Sequence, residues 1–156
     1  MRLTNYSDFA LRTLIYLAVM PSRTELATIN DVAESYQISK SHLTKIIHQL
    51  AQLGFIDSVQ GKNGGIRLAK PPEQINLGDV VRHTEKDFAI VPCFELYRRD
   101  QPENQSRIGA PCAIQPVCQL QHVFAEATQA FIDVMSTYTL ADIVQNPDAL
   151  WALLKL

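Results

Sequence analysis

No stretch of this chain approaches the roughly 18–20 consecutive apolar residues that a membrane-spanning helix requires, so a membrane span is not expected. Cysteine is scarce, with three in 156 residues: Cys93, Cys112 and Cys118. So small and odd a number argues against the disulfide framework of a secreted mini-domain. The first residues, Met1-Arg2-Leu3-Thr4-Asn5-Tyr6-Ser7-Asp8, carry an acid and lack a small-residue cleavage site. They read as mature protein rather than a signal peptide, which points to the cytoplasm. Thiols stay reduced there, so the cysteines are expected to be ligands, reactive groups or core residues. Tryptophan occurs once, at Trp151, near the end of the chain, and reads as a core or interface anchor. A strong net charge is also missing: the formal total is −2, which excludes a uniformly basic nucleic-acid binder.

The charge is nevertheless unevenly placed. Residues 1–70 hold eight Lys/Arg against five Asp/Glu, a net +3, and residues 71–156 hold six against eleven, a net −5. A basic first half joined to an acidic second half suggests that the first half meets phosphate. The length suits one domain, or one small domain with an added helix, and apolar content of 47% is enough for a buried core.

The periodicity predicts a helix over residues 5–20, with Phe9, Ala10, Thr13, Leu14, Leu17 and Ala18 as its apolar stripe. Asp8 falls in the first turn, where the helix dipole favours a carboxylate. A short second helix is expected over 29–36, capped by Asn30, and Gln37-Ile38 makes a tight turn. Ser39 caps a third helix from Lys40 to about Leu53. Its apolar face is Leu43, Ile46, Ile47, Leu50 and Leu53. Its other face holds Lys40, Ser41, His42, Lys45, His48, Gln49 and Gln52 and carries no acid. Two helices joined by a short turn, the second with a basic and amide-rich face, make a helix-turn-helix. The bland alternative is a solvated helix face.

Half of the six glycines sit in one stretch, Gln60-Gly61-Lys62-Asn63-Gly64-Gly65, between two short strand-like runs, 55–59 and 66–69. This is the hairpin wing of a winged helix. A nucleotide-phosphate loop is disfavoured, because no Gly-Lys-Ser/Thr follows and no helix opens there. The DNA-contacting set is then Ser39, Lys40, Ser41, His42 and Lys45 on the helix, with Gln60, Lys62, Asn63, Gly64 and Arg67 on the wing. Such residues suit base edges in the major groove and phosphates around it.

Pro71-Pro72 ends the wing, and Asn76 caps a further short helix through Leu77, Val80 and Val81. A polar stretch from Phe94 to Ala110 has no periodicity. Pro116 is placed in the first turn of the longest helix, which runs to about Ser136. Along it Val117, Leu120, Phe124, Ala127, Phe131 and Val134 recur at 3-4-3-4-3 spacing, a coiled-coil seam. No other helix in the chain is long enough to pair with it, so a homodimer is expected, with packing on the winged-helix core as the alternative. Thr139-Leu140-Ala141-Asp142 opens a last short helix. The chain thus divides into a winged helix-turn-helix domain (1–82), a cysteine-bearing loop (83–115) and a dimerisation region (116–156). The fold class is mainly α with one small β-hairpin. Three thiols brought together can hold a soft metal or an iron–sulfur cluster.

These pieces resemble the winged-helix iron–sulfur family of transcriptional regulators. The match covers Leu3 to Tyr16, Ser39 to Leu53, the wing from Gly61 to Leu68, Ile75 to Val81, the cysteine trio, and Tyr138 to Asp142. It is nearer to the nitric-oxide-sensing repressors of that family than to its cluster-biogenesis regulators. The resemblance implies a dimeric repressor of double-stranded operator DNA with an iron–sulfur cluster, 4Fe–4S favoured over 2Fe–2S, and nitric oxide as the signal. It implies Cys93, Cys112 and Cys118 as ligands, with Asp8 of the other subunit as the fourth. In the cluster-biogenesis branch a histidine three residues after the last cysteine completes the site. Here that position is Gln121, and His122 lies about 100° further round a helix. Two features depart from the pattern: 18 residues separate Cys93 from Cys112, where the family has a handful, and Gln60 stands where the wing commonly has arginine. The same fold could instead sense iron or redox state, or hold zinc, through these cysteines. An enzyme with a cysteine nucleophile beside His83 or His122 is the remaining alternative, with no orienting third residue in the sequence.

Overall fold

The computed structural model describes residues 2–22, 24–91 and 112–154. Cys93 and the polar stretch after it lie outside the described residues.

Helix α1 (Asn5–Val19) is the central element and packs against α3, α4 and α7. Its N-cap is Thr4, whose hydroxyl accepts the Ser7 N–H. Burial runs beyond one stripe. Ser7, Ala10, Thr13, Leu14 and Leu17 are buried, and so are Tyr16 and Val19 on the opposite side. Phe9 and Ala18, expected in the stripe, are only half-buried. A helix covered on several sides buries more than the single face that periodicity picks out.

Helix α2 (Ile29–Tyr36) is capped by Thr28, not by Asn30. Thr28 Oγ1 accepts the Asp31 N–H at 3.2 Å while the Asp31 carboxylate accepts the Thr28 N–H at 2.8 Å, a reciprocal box that Asn30, inside the first turn, cannot make. Gln37 takes the left-handed conformation (φ 53°), and its N–H reaches back to the α2 carbonyls. Helix α3 (Lys40–Gln52) follows, capped by Ser39. Leu43, Ile46, Ile47 and Leu50 are buried, and Leu53 at the C-cap is half-buried.

Strands β1 (Ile56–Val59) and β2 (Gly65–Leu68) pair antiparallel, with Ile56 opposite Leu68 and Asp57 opposite Arg67. Ile66 also exchanges two backbone hydrogen bonds with Ala27, at 3.0 and 2.8 Å, which staples the wing to the segment before α2. Gly65 makes this possible: a Cβ there would stand 2.5 Å from the Ala27 carbonyl oxygen.

After a 3-10 turn (Pro72–Gln74) comes α4 (Leu77–Thr84), capped by Asn76 as its sequence suggests. A second 3-10 turn (Gln115–Val117) precedes α5 (Leu120–Ser136). Pro116 therefore belongs to that turn, and the long helix starts four residues later than expected. The fixed φ of proline suits either kind of turn, and the N-cap position, Gln119, makes no capping side-chain bond. Helices α6 (Leu140–Ile143) and α7 (Pro147–Leu154) close the described chain. Trp151 of α7 packs edge-on against Tyr16, with ring centroids 5.5 Å apart.

Among the described residues α5 packs mainly against α4, and Ile132 is its one buried residue. Of the expected seam, Val117, Leu120 and Val134 are 77%, 53% and 59% exposed among the described residues, while Phe124 and Phe131 are half-buried.

Candidate DNA interface and cysteine site

Ser39 places the start of α3 outward: its Oγ accepts the His42 N–H at 3.4 Å and lies 3.3 Å from Ser41 Oγ. Lys40, Ser41, His42, Lys45 and His48 are all exposed on the resulting face, which carries no carboxylate. Thr44 shares that face, although its hydroxyl is turned back to the Lys40 carbonyl at 2.8 Å. Gln49 differs from its sequence reading. Its side chain turns inward, and Nε2 donates to the His83 carbonyl at 2.6 Å.

On the wing, Gln60, Lys62 and Asn63 are exposed, and Gly64 is half-buried. Arg67 is less free than Lys62, because its Nε donates to the Asp57 carboxylate across the hairpin at 3.4 Å. Between the wing and the starts of α2 and α3 lies an open groove of about 260 Å³, lined by Asn30, Lys40, Ser58 and Gly64 among others. Asn30 and Ser58 escaped sequence reasoning as groove residues. A short polar residue in a strand or first turn gives no signal of the space it faces.

Cys112 is exposed and Cys118 half-buried, and both are free thiols on either side of the 3-10 turn. Cys118 stands two residues before α5. Asp8 sits in the first turn of α1 and is ion-paired to Arg12, Nε to Oδ1 at 2.9 Å. Arg12 in turn lies over the Tyr36 ring, 5.7 Å from its centroid. Burial pushes the Tyr36 phenol up to about 12. Among the described residues of one chain, no three His, Cys, Asp or Glu side chains gather as a metal site, so Asp8 does not join Cys112 and Cys118 within the protomer. One turn beyond Cys118, the Gln121 side-chain nitrogen is buried with no hydrogen-bond partner among the described residues.

The sequence profile of the Rrf2 family, described as iron-dependent transcriptional regulators, matches residues 3–146. The chain belongs to the Rrf2 family. Relatives named HTH-type transcriptional regulator NsrR are 47% identical in Bacillus licheniformis, over 99% of this chain and all of that protein, and 46% identical in Bacillus subtilis, over 100% and 99%. Two solved structures share the fold. CymR, described as the global cysteine regulator of B. subtilis, is 18% identical with a TM-score of 0.66 and covers 93% of this chain and 97% of its own. IscR of T. potens is 18% identical with a TM-score of 0.66, covering 94% and 88%. As an Rrf2 protein the chain is a DNA-binding transcriptional regulator and not an enzyme. Among the described residues no helix is long and apolar enough to cross a membrane.

Proposed function

We propose that the chain is a homodimeric repressor whose grip on a palindromic operator depends on an iron–sulfur cluster and is released by nitric oxide. Supporting the cluster is its kinship with the iron-dependent Rrf2 regulators and the full-length similarity to the NsrR proteins. The observation that carries the reading is a coincidence of position. Cys118 stands at the root of α5, where Val117 and Leu120 begin the apolar seam and are exposed among the described residues. A group held at that root lies where a second chain would pack.

The residues present suit such a group. Cys112 and Cys118 are unpaired and accessible thiols, the soft donors that iron–sulfur sites prefer. Among the described residues the buried Gln121 side-chain N–H lacks an acceptor, and it could serve an anionic sulfur held by the nearby Cys118. Cys112, Cys118 and Cys93 would hold the cluster, with Asp8 of the partner subunit as fourth ligand; a 4Fe–4S form is favoured. When bound, it supplies iron that reacts with nitric oxide and a bond shared between two chains. The rest falls to the chain's own residues. Asp8 must leave or share Arg12 to serve as a ligand, and its carboxylate oxygen is the hard member of a soft donor set. Because Asp8 and the cap residue Thr4 lie on the same first turn of α1, holding Asp8 also holds the end of α1 that abuts the DNA-reading half. Lys40, Ser41, His42 and Lys45, capped by Ser39, face the major groove, and Gln60, Lys62, Asn63, Gly64 and Arg67 reach phosphate or minor groove.

The test is the iron and sulfide content and visible spectrum of anaerobically purified protein, with operator binding before and after nitric oxide. Brown protein that binds operator and lets go on exposure is expected. Colourless protein holding stoichiometric zinc, or an iron-free form that binds the operator equally well, would refute the mechanism.

A further inference from the structure

Four long-range hydrogen bonds link the recognition helix, α1 and α4 in three pairwise ties. Gln49 Nε2 donates to the His83 carbonyl at 2.6 Å, tying the third turn of α3 to the C-terminal end of α4. Tyr6 Oη donates to the Lys45 carbonyl at 3.2 Å, tying the first turn of α1 to the middle of α3. The Glu85 carboxylate, at the C-cap of α4, accepts the Thr4 N–H at 2.7 Å and the Thr4 hydroxyl at 3.1 Å, which joins α1 to α4. The three ties close a triangle. Two of the ties use groups that their helices leave spare: Thr4 is an N-cap and His83 lies in the last turn of α4, whose carbonyls lack helical partners, whereas the Lys45 carbonyl lies mid-helix. Burial holds the Tyr6 phenol above its ordinary range, so it remains a donor. The His83 ring is held as well, with Nδ1 2.7 Å from the Asp79 carbonyl oxygen and the ring edge-on to Phe55 at 6.5 Å. The sequence alone puts Gln49 on the DNA-reading face, but its amide is committed to this triangle.

We infer that Gln49, Tyr6 and Glu85 are positioning residues: their bonds fix the angle of the recognition helix against α1 and α4, and operator discrimination depends on that angle rather than on any DNA contact by these side chains. Base-edge hydrogen bonds tolerate only small displacements, whereas attraction to phosphate is long-ranged and forgiving. Loosening the triangle should therefore cost specific binding and spare non-specific binding.

This inference rests on the DNA-binding reading and needs no assumption about the cluster. The probes are the palindromic duplex that the wild-type chain enriches from a randomised pool and a scrambled duplex of equal length. Affinity is measured over a salt series, alongside amide hydrogen exchange of the α1 N-terminus and α4. Q49A and E85A should each weaken operator binding about tenfold, as loss of one well-placed hydrogen bond would. The loss should be spread evenly over all operator positions, with scrambled-duplex affinity and salt slope unchanged and with faster exchange at the first turn of α1 in E85A. E85Q keeps a carbonyl acceptor for Thr4 and should retain operator affinity, which separates the bond from the charge. Three results would overturn the inference: unchanged operator affinity in E85A, an E85Q loss as large as that of E85A, or a Q49A loss confined to one base pair, the mark of a direct base contact. A wild-type chain that enriches no duplex would instead sink the DNA-binding reading itself, and the inference with it.

Discussion

Gly78→Ala is the sharpest single test of how α5 is joined to the winged half. On an open helix surface, replacing glycine by alanine stabilises by up to about 1 kcal/mol, because alanine loses less backbone entropy. Gly78 is buried in the first turn of α4, where α5 ends. A Cβ there would clash with Ser136 Oγ and stand 2.9 Å from both Cα and N of Ser136. A hydroxyl can rotate away, but this one is donated to the Ile132 carbonyl at 2.7 Å, and the backbone behind it is pinned by Asn76 Nδ2 donating to the Ser136 carbonyl at 2.7 Å. Leu77 N–H donates to the Tyr138 carbonyl at 3.0 Å, closing the same junction. Overpacking of so rigid a site costs about 1–3 kcal/mol, which outweighs the propensity gain. For a chain of this size that lowers Tm by roughly 2–12 °C. Ser136→Ala in the same chain should restore only part of the loss, since the Cα and N contacts remain. Thermal unfolding by circular dichroism, with operator titration of the folded protein, is the assay. A Tm that rises in Gly78→Ala, or full recovery in the double variant, would refute the close-approach argument.

Three further outcomes follow from the same geometry. Leu120→Asp, on a side chain already 53% exposed in the protomer, should leave Tm of the monomeric fold nearly unchanged but abolish dimer formation in analytical ultracentrifugation; an unchanged dimer would put the seam elsewhere. Thr28→Ala removes the cap of α2 and should cost about 1 kcal/mol, a fall in Tm of roughly 2–4 °C, with a helix-turn-helix that exchanges amide protons faster. The Tyr36 phenol, raised by burial to about 12, favours the neutral form in the folded chain. Its contribution to stability is fully present below pH of about 10 and lost as pH climbs from about 10 to about 12, so denaturation midpoints should fall across that window and fall less in Tyr36→Phe.

The winged half was legible because its signals are local. Ser39 and Asn76 announce caps, α3 shows its two faces at a 3.6-residue period, and three glycines mark the hairpin. What escaped the sequence was set by tertiary contact or by competing signals. Thr28 beat Asn30 as cap because Asp31 could answer it across the first turn. Tyr16 and Val19 are buried because α1 is covered on several sides, which no single stripe reveals. A separate α7 was missed although Asn146-Pro147 signals it: Asn146 Oδ1 accepts the Ala149 N–H at 3.3 Å, and proline follows at the first helical position. At the cysteine site, residue type and position before the long helix were readable, whereas the inward turn of Gln49 and the Asp8–Arg12 pair depend on neighbours that sequence spacing does not supply.

Helix α4 is short, yet both of its ends are tied to other elements. Its N-terminal end is gripped by the α5–α6 junction, through Asn76 to the Ser136 carbonyl, Leu77 to the Tyr138 carbonyl and the close approach of Gly78. Its C-terminal end is gripped by Gln49 of α3 and, through Glu85, by Thr4 of α1. Eight residues of helix make a rod of about 12 Å, too short to bend appreciably. A rod clamped at both ends passes a tilt on instead of absorbing it. In the proposed dimer, helix-turn-helix half-sites about 34 Å apart would require two recognition helices to hold a fixed separation and angle. A rotation of α5 in that proposed dimer would reach α3 through α4, by way of the polar bonds at its two ends. Weakening the N-terminal grip with Gly78→Ala and the C-terminal grip with Glu85→Ala should impair operator binding by the same route, so the two losses should fall short of additive when combined.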